Sequence, residues 1–233
     1  MEYPVELRWG RLLRRWQRFL SEVELDEGPR VVAHVPNSGA MLGCADPGSP
    51  VLVAPAAGPG RKLAWRLEQV VSGGIPVGVN TQMANGLVAE ALSTGLLAYP
   101  FLGFPFQVER EVRCGERSRL DFKLSGPGGQ VWLEVKNVTW ALGGVALFPD
   151  AVTSRGARHM ELLSRIAAGG GAAGLVYVVQ RGDARAVKAA ADVDPVYAEA
   201  LREARNAGVL VQAVQVAVSP KRLAPWRLLP VLE

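Results

Sequence analysis

The chain has 233 residues, 49% of them hydrophobic and 21% charged, which is the composition of a folded globular protein and excludes a disordered one. No apolar run is long enough for a membrane span, and the N-terminus does not resemble a secretory signal, so a cytoplasmic protein is expected. The net charge of +4 permits nucleic-acid binding without requiring it, and two cysteines with two histidines fit no structural zinc motif.

Short strands are predicted over residues 1–80, which we treat as a first domain. The runs VVAHV, VLVAP and IPVGVN are rich in β-branched residues and are bounded by Pro, Gly, Asn and Ser. In KLAWRLEQV, Leu67 alternates with Arg66 and Glu68, so we expect a strand with both charged side chains in solvent. Several short strands in one stretch indicate a small barrel or sandwich.

The opening segment, RWGRLLRRWQRFL, can be interpreted in two ways. Its apolar residues fit a helical stripe with arginines on the opposite side, and they also fit a strand. Periodicity alone slightly favours the helix. Basic side chains in this segment, Arg14, Arg15 and Arg18, and later Arg61 and Lys62, are the candidate contacts with nucleic-acid phosphates.

Helices alternate with strands in residues 81–233, which we treat as a second domain. A mostly apolar helix is predicted from Gln82 to Leu96, followed by three strands, FQVEREV, SRLDFKL and QVWLEVKNV. Two more helices follow, one capped by Thr153 and one by Asp194, with the strand GLVYVVQ between them and VLVQAVQVAV last. This order predicts a mixed sheet with helices on its faces.

The hairpin formed by SRLDFKL and QVWLEVKNV places charged residues among apolar ones. Glu134 and Lys136 lie two positions apart and therefore share one face of a strand. If the ladder is symmetric about the turn SGPGGQ, Leu124 faces Val131 and Asp121 faces Glu134. The three charged side chains are then expected to converge in one patch.

Such a patch suits metal-dependent hydrolysis of a phosphodiester. Two neighbouring carboxylates repel one another unless a cation lies between them, and their oxygens suit Mg²⁺ or Mn²⁺. A lysine beside the cation can orient or deprotonate water and offset charge on the phosphate. The string D-x(12)-E-x-K is short, however, and a solvated hairpin with surface ion pairs explains it about equally well.

Five further residues are weaker candidates. Glu90 is the only acid of an otherwise apolar helix, and it could either point to the carboxylate pair or lie at a solvent edge. Arg155 and His159 share a helix face that could contact phosphates or simply face water. Asn37 and Ser38 lie in the loop HVPNSGAMLG, where small polar residues suit a phosphate or a base edge but also form ordinary turns.

Eight motifs follow one another along nearly the whole chain: RRWQRFL, HVPNSGAMLG, VGVNT, SRLDF, EVKNVT, FPDAVTSRGARH, VVQR and DPVYAEAL. Together they resemble the sugar fermentation stimulation proteins of bacteria and archaea. One departure is Gln17, where the first motif more often has a lysine, so one basic residue is absent from this segment.

The resemblance implies an α/β (α+β) protein of two domains, an N-terminal OB-like barrel and a C-terminal domain like the PD-(D/E)xK nucleases. It makes the opening segment the first strand of the barrel. It also gives Asp121, Glu134 and Lys136 the nuclease motif positions, with Glu90 as the helix acid. DNA binding without strong sequence preference and a link to the regulation of sugar metabolism, particularly of maltose, are implied as well.

The expectation is a protein whose barrel holds nucleic acid and whose second domain binds Mg²⁺ or Mn²⁺ through Glu90, Asp121 and Glu134. Lys136 would assist the hydrolysis of a phosphodiester. The rival interpretation is a DNA-binding regulator whose nuclease-like site has no turnover. A homodimer is left open and no membrane partner is expected. An enzyme of sugar or nucleotide metabolism is disfavoured, because the sequence has no glycine-rich phosphate loop.

Overall fold

A computed structural model describes residues 1–56, 62–115 and 118–233 of the chain. Within these ranges, the strands form two six-stranded sheets and one three-stranded sheet, accompanied by three α-helices. The first six-stranded sheet lies entirely N-terminal to the first α-helix, and the other two sheets follow it. The mixed α/β architecture expected from the sequence is confirmed.

The N-terminal strands close into a small barrel. They are β1 (Arg8–Trp16), β2 (Leu20–Leu25), β3 (Arg30–His34), β4 (Pro50–Pro55), β5 (Trp65–Ser72) and β6 (Ile75–Gly78). Their order is β3-β2-β1-β4-β5-β6, and a further pairing between β3 and β5 closes five of them into a ring. The interior is filled by inward-facing residues such as Leu12, Val23, Val53 and Leu67, so the barrel is a packed core.

The opening segment is strand β1 and not a helix. It pairs antiparallel with β2 and with β4, and the chain reverses at Gln17 and Arg18, whose φ angles are 49° and 62°. The register of β1 against β2 shifts between Leu12 and Arg14, which makes Leu13 a bulge. A bulge interrupts the two-residue alternation, so the apolar residues imitate a helical stripe. The periodicity was misleading here, and the strand implied by the family resemblance is confirmed.

The second part of the chain contains the helices and a mixed sheet. Its elements are α1 (Ala84–Ser93), β7 (Gln107–Cys114), β8 (Ser118–Gly126), β9 (Gly129–Val138), β10 (Trp140–Leu142), β11 (Val145–Phe148), α2 (Ser154–Ala168), β12 (Ala172–Val179), β13 (Ala186–Ala189), α3 (Pro195–Asn206), β14 (Leu210–Val218) and β15 (Leu223–Leu229). The large sheet has the order β15-β14-β12-β9-β8-β7. Its central strands β9, β12 and β14 are parallel, and the outer pairs are antiparallel.

Helices cover both faces of this sheet. Leu87 of α1 and Leu133 of β9 belong to one core, whereas Met160 of α2, Tyr197 of α3 and Tyr177 of β12 belong to another. Both cores are needed because the central strands are apolar on both sides, as the continuous run GLVYVVQ predicts.

Helices α2 and α3 start at the predicted caps. Thr153 Oγ1 accepts a hydrogen bond from Gly156 N at 3.0 Å, and Asp194 Oδ1 accepts one from Tyr197 N at 2.9 Å. Asp194 Oδ2 also accepts from Thr153 N at 2.7 Å. One buried carboxylate therefore satisfies backbone donors at the starts of two helices.

Five strands lie outside the sequence prediction: β2 of the barrel and four strands of the second part of the chain. Strands β10, β11 and β13 form the small three-stranded sheet, and β15 extends the edge of the large one. The first three have only three or four residues each, too few for a periodic pattern. Strand β15 contains Pro225, which is confined to edge strands because it lacks a backbone donor. In the described ranges, no helix combines the length and apolarity that a membrane crossing would need.

Candidate metal centre and nucleic-acid interface

The hairpin of β8 and β9 brings Asp121 close to Glu134. The ladder between the two strands runs up to the pair of Phe122 and Leu133, in the register predicted from the turn. Beyond that pair the ladder ends, and Asp121 Oδ2 instead accepts a hydrogen bond from Val135 N at 2.7 Å. The carboxylate thus takes the place of a strand acceptor, and it is held at the point where the two strands separate.

Glu134 is buried and anchored at one of its two carboxylate oxygens. It is 3% exposed on β9 and points towards α2. Lys136 Nζ and His159 Nδ1 both contact its Oε1. Its Oε2 is buried and has no hydrogen-bond partner in the part of the chain that the structure describes. A buried anionic oxygen without a partner is costly, so this oxygen marks where a positive group would be stabilising.

The two carboxyl groups have opposite pKa shifts. Burial, together with the nearby Glu134 charge, raises the pKa of Asp121 from 3.8 to about 6, against the opposing effect of its hydrogen bonds. Burial alone would also raise the pKa of Glu134, but the hydrogen bond from His159 and the charge of Lys136 outweigh it and lower the pKa. The pair is therefore electrostatically coupled, as expected for two carboxylates that share a small site.

The donor set fits a hard divalent cation such as Mg²⁺ or Mn²⁺. It consists of two carboxylates, one of them with an oxygen that lacks a partner, next to a lysine. Among the described residues, no three or more His, Cys, Asp or Glu side chains form a ready-made metal site. A cation held here would therefore depend on two carboxylates and on water or substrate oxygens. Mg²⁺ accepts that arrangement because it keeps several waters.

Glu90 does not join the pair, which corrects the prediction that it is the helix acid of the site. Its Oε2 pairs with the Met1 amine at 2.8 Å. The α1 residue that reaches Asp121 is Asn85, whose Nδ2 lies 3.0 Å from Asp121 Oδ1. Five positions along an α-helix correspond to a rotation of roughly 140°, so the two side chains leave α1 in different directions.

A cleft with a volume of about 450 Å³ lies between the barrel and the second part of the chain. Its lining includes five of the predicted residues: Arg18, Asn37, Ser38, Lys136 and Arg155. Arg18 and Ser38 are exposed on the barrel side, and Arg155 is exposed in the first turn of α2. The structure therefore brings predicted nucleic-acid contacts from two regions to the edge of the carboxylate site.

Arg15 and Asn37 organise the loop on the barrel side of this cleft. The Arg15 guanidinium donates to the carbonyl oxygens of Asn37, Gly39 and Ala40 at 2.8–3.0 Å. Asn37 is buried, and its Oδ1 accepts from Gly39 N at 2.9 Å. Its Nδ2 donates to the carbonyl oxygen of Val79, which follows β6. Both side chains were predicted to bind nucleic acid, but the structure uses them to shape the loop.

Asp150 joins the same loop to the second part of the chain. Its Oδ2 accepts a hydrogen bond from Met41 N at 2.7 Å. A Cβ atom on Gly39 would overlap the Asp150 carboxylate, so the close approach requires glycine at that position. The loop is therefore held by Arg15 of the barrel strand β1 and by Asp150 of the second part of the chain.

The remaining predicted contacts lie in different surroundings. Arg14 is exposed on β1, and its Nε pairs with a glutamate of β2 at 2.7 Å. Lys62 is exposed beside a separate pocket of the barrel, and Arg61 lies outside the described residues. His159 is 6% exposed and faces the carboxylate site. His159 is thus buried against Glu134, whereas Arg155, one turn earlier on the same helix, is exposed.

Sequence reasoning missed Asn85, Asp150 and the burial of Glu68. Glu68 is fully buried, its Oε1 contacts Arg66 Nε, and its Oε2 accepts from Asn80 Nδ2 at 2.9 Å. Arg66 lies two positions before Glu68 on β5, and Asn80 follows β6. The alternation of apolar and charged residues along β5 does not reveal either contact. Asp150 lies inside the motif FPDAVTSRGARH, so a motif-based search for polar residues could have found it.

Comparisons with known proteins agree along the whole chain. Residues 13–79 match the family model described as the SfsA N-terminal OB domain, and residues 82–222 match the sugar fermentation stimulation protein RE domain. A sugar fermentation stimulation protein homolog from Geobacter sulfurreducens is 46% identical over 100% of this chain and 99% of its own length. A homolog from Halorhodospira halophila is 47% identical over 99% of this chain and 98% of its own length.

A solved structure has the same architecture. The SfsA protein of Pyrococcus furiosus, determined in complex with Ca²⁺, superposes with a TM-score of 0.88 at 28% sequence identity, covering 100% of this chain and 98% of that one. Both domain matches, the full-length relatives and this superposition lead to one conclusion: the chain belongs to the sugar fermentation stimulation protein family.

Proposed function

We propose that this protein binds nucleic acid in the cleft between its barrel and its second domain, and that it hydrolyses a phosphodiester there with a divalent cation. The observation that carries the proposal is the pair of half-buried Asp121 and buried Glu134 beside Lys136, in which Glu134 Oε2 has no partner among the described residues. We also propose that the two domains comprise residues 1–80 and 81–233.

The proposed cation is Mg²⁺ or Mn²⁺, held by Asp121 and Glu134. The Ca²⁺ in the Pyrococcus furiosus structure supports a divalent cation, since Ca²⁺ and Mg²⁺ both prefer oxygen ligands. Such a cation supplies charge stabilisation for a phosphate and makes water more acidic. Asn85 would orient Asp121 through the hydrogen bond to Oδ1, and the backbone amide of Val135 would do the same at Oδ2.

Lys136 would act on the substrate side of the carboxylate pair. It lines the cleft and its Nζ contacts Glu134. A positive ammonium group in this place can attract a phosphate and stabilise the negative charge that develops on it during hydrolysis. Because Lys136 shares a strand face with Glu134, the rigid sheet keeps the two groups at a fixed spacing.

The nucleic acid would lie along the cleft, mainly through its phosphates. Arg18 and Ser38 offer contacts from the barrel, and Arg155 offers one from α2. Contacts of this kind fix the position of a strand but read little sequence, which agrees with an OB domain in the family model. The loop that carries Ser38 is already ordered by Arg15 and Asp150, so little conformational entropy is lost on binding.

A second candidate function is a DNA-binding regulator without turnover, linked to sugar metabolism as the family name indicates. The observation that favours it is the position of Glu90, which leaves two acids where three were expected. Within the described ranges no larger cluster of metal-binding side chains replaces the third acid. Both functions predict binding that weakens steeply with salt, so only turnover separates them.

Cleavage of defined substrates tests the proposal. Single-stranded DNA, duplex DNA and RNA are incubated with the purified protein in Mg²⁺, in Mn²⁺ and in chelator. We expect metal-dependent cleavage of at least one substrate, with Glu134→Gln and Lys136→Ala each reducing the rate by about 100-fold or more while binding remains. Glu199→Gln, an exposed acid of α3, is the matched control and should cleave normally. Binding without cleavage of every substrate would support the regulator instead.

A further inference from the structure

We infer that His159 is a positioning residue that holds Glu134 ready for the cation, by engaging Oε1 and leaving Oε2 as the ligand. The inference rests on the proposed function and deepens it. It concerns a side chain that the sequence placed on a phosphate-binding surface and that the structure places, 6% exposed, against the carboxylate.

The position of His159 follows from how α2 packs on the sheet. Leu133 faces the core of α1, so its neighbour Glu134 points to the opposite face, where α2 lies. Met160 and Leu163 anchor α2 in the core of that face. A helix packed on the core therefore holds the imidazole against the carboxylate, and no flexible surface side chain is needed to position it.

The contact has one consistent arrangement of hydrogens. A glutamate that ligates a divalent cation is ionised, and its carboxylate oxygens can then only accept hydrogen bonds. The contacting nitrogen, Nδ1 of His159, must then carry a hydrogen and donate it to Oε1. Lys136 donates to the same oxygen. Two donors on Oε1 fix the side chain and leave the lone pairs of Oε2 unused in a buried position.

Loss of His159 and loss of Lys136 should affect the site differently. Lys136 lies on the same strand as Glu134 and also lines the cleft. Its removal therefore affects both the position of the Glu134 carboxylate and the proposed contact with the substrate phosphate. His159 does not line the cleft and contacts Glu134 from another element. A glutamate has three rotatable bonds, and fixing them before the cation arrives removes an entropic cost from binding. Loss of His159 should therefore weaken cation binding specifically.

The test is calorimetric titration of the full chain with Ca²⁺ in the absence of nucleic acid. His159→Phe keeps the ring volume and removes the donor, and we expect Ca²⁺ affinity to fall about 10- to 100-fold. His159→Asn places an amide nitrogen where Nδ1 lies and should retain affinity within about threefold. Met160→Ala, at the next buried position of α2, should lower the melting temperature and leave Ca²⁺ affinity unchanged.

The outcomes separate the inference from the proposed function. If Ca²⁺ binds to the parent protein and is lost in Glu134→Gln, but His159→Phe binds it equally well, the positioning role is refuted and the metal site stands. If the parent protein binds no Ca²⁺, Mg²⁺ or Mn²⁺, the proposed function fails and the inference fails with it. If His159→Phe does not fold, His159→Gln replaces it: its amide lies at the position of Nε2, so weaker Ca²⁺ binding than in His159→Asn is expected.

Discussion

Replacing Asp121 by Asn should change how the stability of the metal-free protein depends on pH. Asp121 lies where β8 and β9 separate, and burial together with the charge of Glu134 raises its pKa from 3.8 to about 6. An asparagine can still accept from Val135 N, and the Asn85 amide can turn over to accept from the new amide nitrogen. The hydrogen bonds to residue 121 are therefore retained, the exposed bond from Asn85 to Glu111 is given up, and mainly the ionisable group is lost.

The sign of the effect follows from proton linkage. Because the folded-state pKa is above the unfolded one, the folded protein binds more protons between pH 3.8 and about 6, and stability is lost as the pH rises through this window. A shift of roughly two pKa units corresponds to about 2 to 3 kcal/mol. Asp121→Asn lacks this loss, so its unfolding free energy should rise relative to the parent by about that amount between pH 4 and pH 7.5.

Urea unfolding in metal-free buffer at a series of pH values measures this difference. Asp192→Asn, an exposed acid in the turn before α3, is the matched control and should follow the parent protein at every pH. Parallel stability curves for Asp121→Asn and the parent would refute the reasoning, because they would show that the Asp121 carboxyl titrates as it does in the unfolded chain. Adding Ca²⁺ at pH 7.5 should make the parent protein more stable than Asp121→Asn, since the cation stabilises only the parent carboxylate pair.

Four further predictions concern other parts of the molecule. Asp194→Ala removes the acceptor for two helix starts and should lower the unfolding free energy by about 2 kcal/mol in urea titrations; a change under 0.5 kcal/mol would contradict the double cap. Gly39→Ala should cost about 1 to 3 kcal/mol through overlap with Asp150, and a melting temperature equal to the parent's would exclude that close approach. Arg155→Ala should reduce the slope of log affinity for DNA against log salt by about one without changing stability, whereas an unchanged slope would remove Arg155 from the interface. Glu90→Gln should leave Ca²⁺ affinity unchanged in calorimetry, and a tenfold loss would restore Glu90 to the metal site.

The hairpin could be predicted because its geometry depends on local rules. A short glycine-rich turn sets the register, and the two-residue period of a strand then determines that Glu134 and Lys136 share a face. Helix caps were predictable for the same reason, since Thr153 and Asp194 act on backbone donors only three residues away. In each case, the sequence separation is small enough that no tertiary information is needed.

The position of Glu90 could not be predicted in the same way. Whether Asn85 or Glu90 of α1 meets Asp121 depends on the rotation of the helix about its axis, and packing against the sheet sets that rotation. Periodicity alone misjudged strand β1, which the family resemblance implied correctly, because the bulge at Leu13 breaks the alternation on which a strand prediction depends. Glu68 alternates like an exposed residue, but Arg66 on the same strand and Asn80 from beyond β6 pair with its carboxylate and allow it to be buried.

A crystal structure with Mn²⁺ and an anomalous difference map is the most direct test of the metal centre. We expect one Mn²⁺ peak within about 2.0 to 2.6 Å of a carboxylate oxygen of Asp121 and of Glu134 Oε2, with His159 and Lys136 still on Glu134 Oε1. A protein that crystallises in saturating Mn²⁺ with no peak between these two carboxylates, or with the ion bound only elsewhere, would contradict the account.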